Sequence, residues 1–283
     1  MIWAIVVLAL LALLVLGWGV FEAGWLRLME LEVPIPGLPE ELDGLRIAHI
    51  GDLHLGARSH GHRAVVNAID WVRERRPDLV LVSGDLLSRP RGEAELRRLL
   101  GKLDNCFVVL GNHDYALSRD PFSRPSAVHE LEPSTLLFDE AREIEIRGKQ
   151  VQIVGVDPRS YHLKRAAPQL LADPEAVLRI CLSHFPGIAK RMPAQSFDLI
   201  CAGHLHDGQI ALPYPGGKLR FAHPRDRRGR GLMEYPSGLL HLTPGLGTTF
   251  LPFRIFARPE ATELHLRSAP RPSRPDAHTE ISS

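Results

Sequence analysis

The stretch Val108-Val109-Leu110-Gly111-Asn112-His113-Asp114 joins an apolar run to three polar side chains that can bind metals or transfer protons. The apolar residues predict a short buried strand. Gly111 allows the backbone to turn sharply at the strand end, where a rigid scaffold can hold a catalytic group. A Gly-Asn pair alone is also an ordinary turn signal. The stretch is therefore informative only if other strands end in the same way.

The composition of the chain is that of an ordinary globular protein. Its 283 residues are 45% hydrophobic and 24% charged, and they are enough for one large domain or two small ones, with a sizeable core. A net charge of +1 gives no reason to expect a nucleic-acid partner. The three cysteines (Cys106, Cys181 and Cys201) lie in or beside apolar runs, without the spacing of a disulfide framework or a zinc ribbon. We expect three buried, inert thiols.

The first residues of the chain predict a membrane anchor. Residues 2–21 are an unbroken apolar run, long enough to cross ~30 Å of hydrocarbon. A cleaved signal peptide would have a basic start and a small-residue cleavage site, and neither pattern occurs. Residues 1–25 are therefore predicted to form an uncleaved single-pass transmembrane anchor, with Trp3, Trp18 and Trp25 near its ends. Arg27 follows the run, which favours a catalytic domain on the cytoplasmic side.

The remaining chain divides into a connector, a domain and a tail. Residues 26–44, rich in acidic residues and proline, are predicted to be a connector, and 45–267 the catalytic domain. Residues 268–283, rich in Pro, Ser and Arg, are predicted to be a disordered tail. Short apolar runs alternate with helix-compatible segments in the first half of the domain, which predicts an α/β fold. We also predict a hairpin over 143–156 and strands at 239–242, 254–257 and 263–266.

Polar residues follow five of the apolar runs. These segments are Gly51-Asp52-Leu53-His54, Gly84-Asp85, Gly111-Asn112-His113-Asp114, His184 and Gly203-His204-Leu205-His206. The carboxyl ends of strands in open α/β sheets line the ligand crevice, so we expect these side chains to converge. Nitrogen and carboxylate ligands together suit Mn, Fe or Zn better than Ca or Mg. The set is too large for one tetrahedral zinc and predicts two divalent metal ions ~3.5–4 Å apart, an arrangement suited to displacement at phosphorus.

The five ordered motifs resemble those of the calcineurin-like metallophosphoesterase superfamily, over about residues 45–266. The resemblance implies a four-layer α/β/β/α sandwich of two mixed sheets, here preceded by the one transmembrane helix. It also implies a metal site with two halves. Asp52, His54 and His206 would hold the first metal, Asn112, His184 and His204 would hold the second, and Asp85 would bridge them.

The same resemblance implies roles at the reacting phosphate. His113 would lie over the scissile phosphate, where it stabilises the transition state or protonates the leaving oxygen. Asp114 would orient His113, because a carboxylate partner fixes the tautomer of a histidine. Asn112 would also contact substrate. Arg58, in the loop after the first motif, is a further candidate for substrate binding.

A closer resemblance is to a membrane-linked branch of this superfamily that includes UDP-diacylglucosamine pyrophosphatases. The residues that carry it are Leu38-Pro39, Gly44-Leu45-Arg46-Ile47, the segment 203–210, Gly245-Leu246-Gly247 and Arg254. Two positions depart from the pattern of this branch, since Leu205 replaces a usual Thr and Asp207 a usual Gly. The charge of Asp207 beside His206 would either tighten the metal site or obstruct substrate.

These observations predict a membrane-anchored dinuclear-metal phosphoesterase. It would hydrolyse a phosphodiester or pyrophosphate bond, in a lipid headgroup, by attack of a metal-bridging hydroxide. One alternative is a tethered, broad-specificity phosphomonoesterase or phosphoprotein phosphatase, and another is a non-catalytic, metal-stabilised binding module. The apolar segment Phe250-Leu251-Pro252-Phe253 is open to two interpretations, a piece of core or a tip that dips towards the bilayer.

Overall fold

A computed structural model of the chain describes residues 1–126, 128–226 and 228–270. The helices are α1 (Ile2–Gly24), α2 (Gly61–Arg75), α3 (Glu93–Leu100) and α4 (Pro158–His162). The strands are β1 (Arg27–Pro36), β2 (Arg46–Ile50), β3 (Leu79–Ser83), β4 (Cys106–Val109), β5 (Thr135–Leu136), β6 (Glu140–Ile146), β7 (Lys149–Val156), β8 (Leu178–Ser183), β9 (Leu199–Ala202), β10 (Ala211–Tyr214), β11 (Gly217–Arg220), β12 (Gly231–Tyr235), β13 (Gly238–Leu242) and β14 (Glu260–Ala269).

Two six-stranded sheets and one small hairpin contain these strands. The first sheet has the order β1-β14-β2-β3-β4-β5, and the second has the order β12-β13-β9-β8-β7-β6. Strands β2 to β5 pair in parallel, as do β7, β8, β9 and β13. Each sheet also has an antiparallel pairing, so both are mixed. The predicted hairpin over 143–156 is confirmed as β6 and β7, which turn at Arg147-Gly148.

The two sheets pack face to face, with helices outside. Apolar side chains of both sheets, such as Leu81 and Ile180, form the core between them. The outer face of the first sheet packs against the apolar stripe of α2, for example Ile69, and against α3. Tyr161 of α4 and the 3₁₀ helix Pro186–Lys190 cover the second sheet. These layers confirm the predicted four-layer sandwich, and the parallel strands within it bring their polar carboxyl ends to one edge.

The segment 26–44, which we predicted to be a connector, contributes an edge strand to the first sheet. Ten residues of β1 pair in parallel with β14. Val33 and Ile35 of β1 are buried in the core, whereas Pro34 between them and Pro36 after them are exposed. An edge strand tolerates Pro34 and Pro36, because one side of its backbone needs no ladder partner. The prolines and acidic residues that suggested a linker are therefore those of an edge strand.

The end of the domain also differs from the sequence prediction. The predicted strand at 254–257 is wrong, since this segment is a loop with one isolated bridge between Ile255 and Ile210. Strand β14 extends to Ala269, beyond the predicted domain end at 267. The hairpin of β10 and β11 was not predicted. Residues 271–283, most of the predicted tail, lie outside the described part of the chain.

Helix α1 is long and apolar enough to cross a membrane. The most apolar 18-residue window of this 23-residue helix has a mean hydropathy of 2.8, and most of the helix side chains are exposed. Its last turns are different, because Gly19, Glu22 and Ala23 are buried against the domain. The apolar helix is thus continuous with the fold at its carboxyl end.

The three cysteines are free and buried, as predicted. Burial raises the pKa of the Cys106 thiol to about 12, and it also raises the pKa of Cys181 and of Cys201. These thiols are protonated at neutral pH and are inert packing residues.

Candidate metal centre

The five polar strand ends identified in the sequence lie together at one edge of the sandwich. Asp52 and His54 follow β2, Asp85 follows β3, and Asn112 and His113 follow β4. His184 follows β8, while His204 and His206 follow β9. Two groups of these side chains have ligand atoms within 4.8 Å of one another, and Asp85 belongs to both groups. The geometry is that of a candidate metal-binding cluster with a shared carboxylate.

The first group contains Asp52, His54, Asp85 and His206, all buried. The Nε2 atoms of His54 and His206 lie 3.1 Å apart. Nε2 of His206 is 3.3 Å from Oδ1 of Asp52, and Nε2 of His54 is 3.6 Å from Oδ2 of Asp85. Four potential ligand atoms on buried side chains thus lie within 4.8 Å of one another.

The second group is built around His184. Its Nε2 lies 2.9 Å from Oδ1 of Asn112, 3.1 Å from Nδ1 of His204 and 3.3 Å from Oδ2 of Asp85. Asp85 therefore directs the same oxygen, Oδ2, at both groups. A single carboxylate placed between two sets of ligands is the natural bridge between two cations.

The chemistry of His184 fits a bound cation. Its Nδ1 lies 2.9 Å from the carbonyl oxygen of Ser83, and only a protonated nitrogen can donate there. The lone pair of Nε2 in that tautomer faces the acceptor oxygens of Asn112 and Asp85, so a positive charge is needed between them. A second proton on the ring can also supply this charge. Burial lowers the pKa of His184, but the Asp85 carboxylate raises it to about 9.

The two carboxylates are held in their charged form. Burial alone would raise the pKa of Asp52, but His206 and His184 lower it to about 2. The pKa of Asp85 is well below its usual range, because His184 and His113 outweigh the effect of burial. Anionic carboxylates at neutral pH are the form that binds metal ions.

The backbone around the ligands has close approaches and unusual angles that bring the carboxylates and imidazoles together. A side chain at Gly111 would collide with Asp85, and one at Gly203 would collide with Asp52. Five of the predicted ligands adopt left-handed backbone angles: φ is 48–50° at Asp52, His54, Asp85 and His206, and 77° at His204. Such angles cost on the order of 1–3 kcal/mol at a residue other than glycine and are characteristic of functional sites.

The family of the chain follows from its sequence as well as from this geometry. The model of the calcineurin-like phosphoesterases matches residues 45–208, more than half of the 283 residues. The chain belongs to the calcineurin-like phosphoesterase family. The predicted family, fold class and metallophosphoesterase activity are thereby confirmed.

Relatives of known name cover most of the chain. A transmembrane protein with metallophosphoesterase domain from Danio rerio is 29% identical over 86% of this chain and 58% of its own length. Phosphodiesterase YaeI from Escherichia coli is 27% identical, over 87% of this chain and 90% of YaeI. UDP-2,3-diacylglucosamine pyrophosphatase LpxG from Chlamydia trachomatis is also 27% identical, over 80% of this chain and 85% of LpxG. The chain is thus similar to phosphoesterases that act on two kinds of phosphate bond.

His113 lies beside the metal cluster of this phosphoesterase, but Asp114 does not support it as expected. Nε2 of His113 is 3.9 Å from Oδ2 of Asp85. The buried carboxylate of Asp114 accepts hydrogen bonds from the backbone N–H groups of Leu86, Leu87 and Gly111. Asp114 thus joins the ends of β3 and β4, because a carboxylate is the acceptor that unpaired strand-end N–H groups require.

A different carboxylate lies near the ring of His113. Oδ2 of Asp120 is 3.9 Å from Nδ1 of His113, and Asp120 also accepts hydrogen bonds from Thr249 and Phe250. Burial lowers the pKa of His113, whereas Asp85 and Asp120 raise it. Asp120 lies outside the strand-end motifs, and its position near His113 was not predicted from the sequence. Its only sequence signal is a position seven residues after His113.

The two departures from the branch pattern leave the metal cluster intact. Asp207 is buried, and its carboxylate lies 2.7 Å from Nζ of Lys218 and 2.8 Å from Nε of Arg220. Asp207 therefore binds the hairpin of β10 and β11 to the metal motif, and its charge is neutralised there. Leu205 is buried as well. Asp207 thus neither obstructs the cavity nor adds a metal ligand, since its charge is satisfied by two cations.

Arg254 stabilises the loops that carry the metal ligands. The side chain is fully buried, and it donates hydrogen bonds to the backbone carbonyls of Pro244, Gly245, Gly247, His206 and Ala257. Burial lowers its pKa to about 10, so it stays charged at neutral pH. The loop after β13 and the His206 motif are held together by this one guanidinium. From the sequence, Arg254 was singled out only by the resemblance to the membrane-linked branch.

A cavity of about 570 Å³ opens above the cluster. Asp85, Asn112, His113, His204 and His206 form its floor. His162, His223, Phe221, Phe250 and Leu251 are among the other residues of its wall. Neither His162 nor His223 stands in one of the five sequence motifs. Arg58 lines a neighbouring cavity of about 610 Å³, which shares Thr249, Phe250 and Leu251 with the first.

Proposed function

We propose that this chain is a membrane-anchored phosphoesterase with two divalent metal ions, which hydrolyses a phosphodiester or pyrophosphate bond in a lipid headgroup. The observation that carries the proposal is Oδ2 of Asp85, which faces both ligand groups. Asp52, His54 and His206 would complete the first metal site, and Asn112, His184 and His204 the second. The donor set suits Mn, Fe or Zn.

Two ions bound there would supply an activated water and neutralise the non-bridging phosphate oxygens. The chain itself orients the ligands. Ser83 fixes the tautomer of His184 through its backbone carbonyl, and the hydroxyl of Ser88 lies 3.1 Å from Nδ1 of His54. Partners of this kind hold imidazole rings in the ligating orientation and raise their basicity.

His113 and Asn112 are the residues we assign to the reacting phosphate. Because burial keeps the pKa of His113 below its ordinary value, the ring is neutral at pH 7 and offers one N–H donor. That donor would stabilise negative charge on the leaving oxygen or deliver its proton. Asn112 holds its carbonyl oxygen towards His184, which leaves its amide N–H₂ group for a phosphate oxygen.

Three observations support a substrate at the membrane. Helix α1 is long and apolar enough to span a bilayer, and one similar protein is named a transmembrane protein. Another, LpxG, is named a pyrophosphatase of UDP-2,3-diacylglucosamine, a molecule with two acyl groups. The mouth of the metal-site cavity carries half-exposed Phe221, Phe250 and Leu251. Apolar residues around a polar floor suit a phosphate that is attached to acyl chains.

The test is a substrate panel with the purified full-length chain in detergent, after metal analysis. The panel contains a lipid-linked diphosphate, a soluble aryl phosphodiester and the matching aryl monoester. We expect about two metal ions per chain, with the lipid diphosphate hydrolysed fastest and the monoester slowest. Equal rates on all three would exclude the lipid specificity and favour the tethered, broad phosphatase. No bound transition metal, together with no hydrolysis in added manganese, would contradict the proposal as a whole.

We further propose that the catalytic domain lies on the cytoplasmic side. The charge that supports this orientation is Arg27, directly after α1, together with Arg258, whose guanidinium stacks 3.7 Å above the Trp25 ring. A fusion of a reporter that is active only in the cytoplasm to residue 270 tests this orientation. Loss of reporter activity at normal expression would place the domain on the other side.

A further inference from the structure

The carboxyl end of α1 is built into the catalytic domain. Glu22 is 1% exposed, although it belongs to an otherwise apolar helix. Its carboxylate accepts hydrogen bonds from the backbone N–H of Ala257 at 2.7 Å and of Phe256 at 3.0 Å, and from the Trp18 indole at 2.8 Å. A buried carboxylate with three donors has a fixed position. The helix therefore meets the domain as a rigid joint.

The loop that contains Phe256 and Ala257 also contacts the helix about one turn before Glu22. The backbone N–H of Arg254 donates to the carbonyl of Gly19 at 3.0 Å. A side chain at Gly19 would lie 3.1 Å from Cδ2 of Phe253, so the helix and the loop are in close contact. Gly19 lies five residues before the helix end, or ~7.5 Å along the axis at 1.5 Å per residue. Phe253 is thus level with the apolar part of α1.

Residues 250–253, which we call the 250s loop, connect this joint to the metal centre. Gln209 of the metal motif donates to the carbonyls of Thr249 and Leu251, at 2.7 and 3.0 Å. Asp120 accepts from the backbone N–H of Phe250. The loop is therefore held at both ends, by α1 on one side and by the active-site wall on the other.

The exposed face of the 250s loop has the character of a membrane-contacting element. Phe250 is 48% exposed and Leu251 is 44% exposed, so neither side chain belongs to the core. Phe250 also has a left-handed backbone with φ of 57°, an angle that costs free energy at a residue other than glycine and is characteristic of functional sites. Arg58, Arg89 and Arg91 line the adjoining cavity. Aromatic and aliphatic tips flanked by arginines suit the boundary between acyl chains and anionic headgroups.

We propose that the 250s loop is inserted into the bilayer that α1 spans, so that the metal-centre cavity opens at the membrane interface. This inference rests on the membrane anchor in the proposed function, and it names the surface through which a lipid-borne phosphate would enter. The bilayer is the partner that the geometry specifies, because α1 fixes the height of Phe253 relative to the helix. Substrate would then reach His113 without leaving the interface.

The test uses a fluorescent label on the full-length chain in phosphatidylcholine and phosphatidylglycerol vesicles. Leu251→Cys and, independently, Phe250→Cys carry an environment-sensitive dye, while the three natural thiols are buried and do not react. Leu170→Cys is the matched control. It is also apolar and 80% exposed, but it lies on the 3₁₀ helix Pro168–Leu170, which packs against β7 of the second sheet.

We expect a quencher attached to the upper acyl chain to remove about half or more of the emission from the 250s loop, since interfacial elements insert ~5–10 Å. The emission from Leu170 should stay unchanged. Quenching at either loop position supports the inference. If both loop labels are quenched by aqueous iodide instead, or are shielded equally from iodide and lipid quenchers, the surface faces water or another protein, and the inference is wrong. The readout needs no hydrolysis, so it can fail while the phosphoesterase activity is intact, and the reverse.

Discussion

The metal cluster and the 250s loop line the same cavity, but the cluster is buried and the loop is exposed. Asp52, Asp85 and His184 are at most 1% exposed and are held by strand ends from both sheets. Phe250 and Leu251 are nearly half exposed and are held by one and two hydrogen bonds, respectively. The cluster needs dry, fixed geometry because charge is stabilised there. The loop needs an apolar surface that remains uncovered by the protein itself.

Because of this difference, substitutions in the cluster and substitutions in the loop should affect different properties of the protein. Substitution in the cluster leaves buried charges without partners, which affects metal binding and turnover together. Substitution in the loop removes surface that the folded domain does not use for its own core. Changes in the cluster should therefore affect turnover more than changes at the joint with α1 or at the edge of the cavity.

Asp85→Asn should have the largest effect, because it removes the shared oxygen from both ligand groups. We expect loss of both metal ions and a fall in turnover of at least about 10⁴-fold, since metal ions supply several kcal/mol to the transition state. Metal analysis and steady-state kinetics measure the two outcomes. Asp157→Asn is the control, since Asp157 is equally buried but caps α4. Retention of two metals in Asp85→Asn would exclude a bridging role.

His113→Ala and Asn112→Ala should differ although the residues are adjacent. His113→Ala should keep its metal and lose turnover by about 10³-fold, within the range for a general acid or a transition-state donor. Asn112→Ala should lose metal from the second site. Metal content is the deciding measurement, and each variant is the control for the other. Equal metal loss in both would show that His113 is a ligand or a structural residue.

Asp120→Asn tests which carboxylate supports His113. We expect turnover to fall ~10–100-fold, as for residues that orient a site histidine. Asp120 raises the pKa of His113, so its removal should move the low-pH limit of kcat/KM to lower pH. Asp114→Asn should instead lower the free energy of unfolding by ~1–3 kcal/mol, because three backbone N–H donors lose one of the two oxygens that accept them. A shifted pH limit in Asp114→Asn alone would restore the original assignment.

Glu22→Ala tests the joint between α1 and the domain. The backbone amides of Phe256 and Ala257 lose their acceptor, and hydrogen exchange there should accelerate by about tenfold, equivalent to ~1.4 kcal/mol. Hydrogen exchange by mass spectrometry on the full chain in detergent gives this rate. Peptides from β8 serve as the internal control. Unchanged exchange at 256 and 257 would mean that the joint does not depend on the carboxylate.

Arg58→Ala should have the smallest effect. Its cavity adjoins the metal cavity beyond Thr249, so a contact would reach a distal anionic group of the substrate. We expect KM for a lipid diphosphate to rise by up to about fivefold, which matches the 0–1 kcal/mol of an exposed ion pair. KM for a small diester should not change. Arg142→Ala, an exposed residue of β6, is the control, and an equal rise in both variants would reject the contact.

Much of the candidate site could be predicted from the sequence because its signals are local. Each of five apolar runs ends in a polar motif, and the rule that parallel strands share an edge was enough to expect their convergence. The same local logic failed for β1, where prolines suggested a linker although Val33 and Ile35 alternate as in a strand. Only the pairing with β14 explains why those prolines are tolerated.

By itself the sequence determined the apolar helix, the order of strands and helices, and the polar residues at the strand ends, since these depend on neighbours along the chain. Tertiary structure decided what each polar group touches. It assigned Asp114 to strand-end amides, placed Asp120 beside His113, and enclosed Arg254 and Glu22 among distant backbone groups. Buried polar groups must find partners wherever packing brings a donor or acceptor. Those partners are up to 235 residues away, as between Glu22 and Ala257, and no local pattern specifies them.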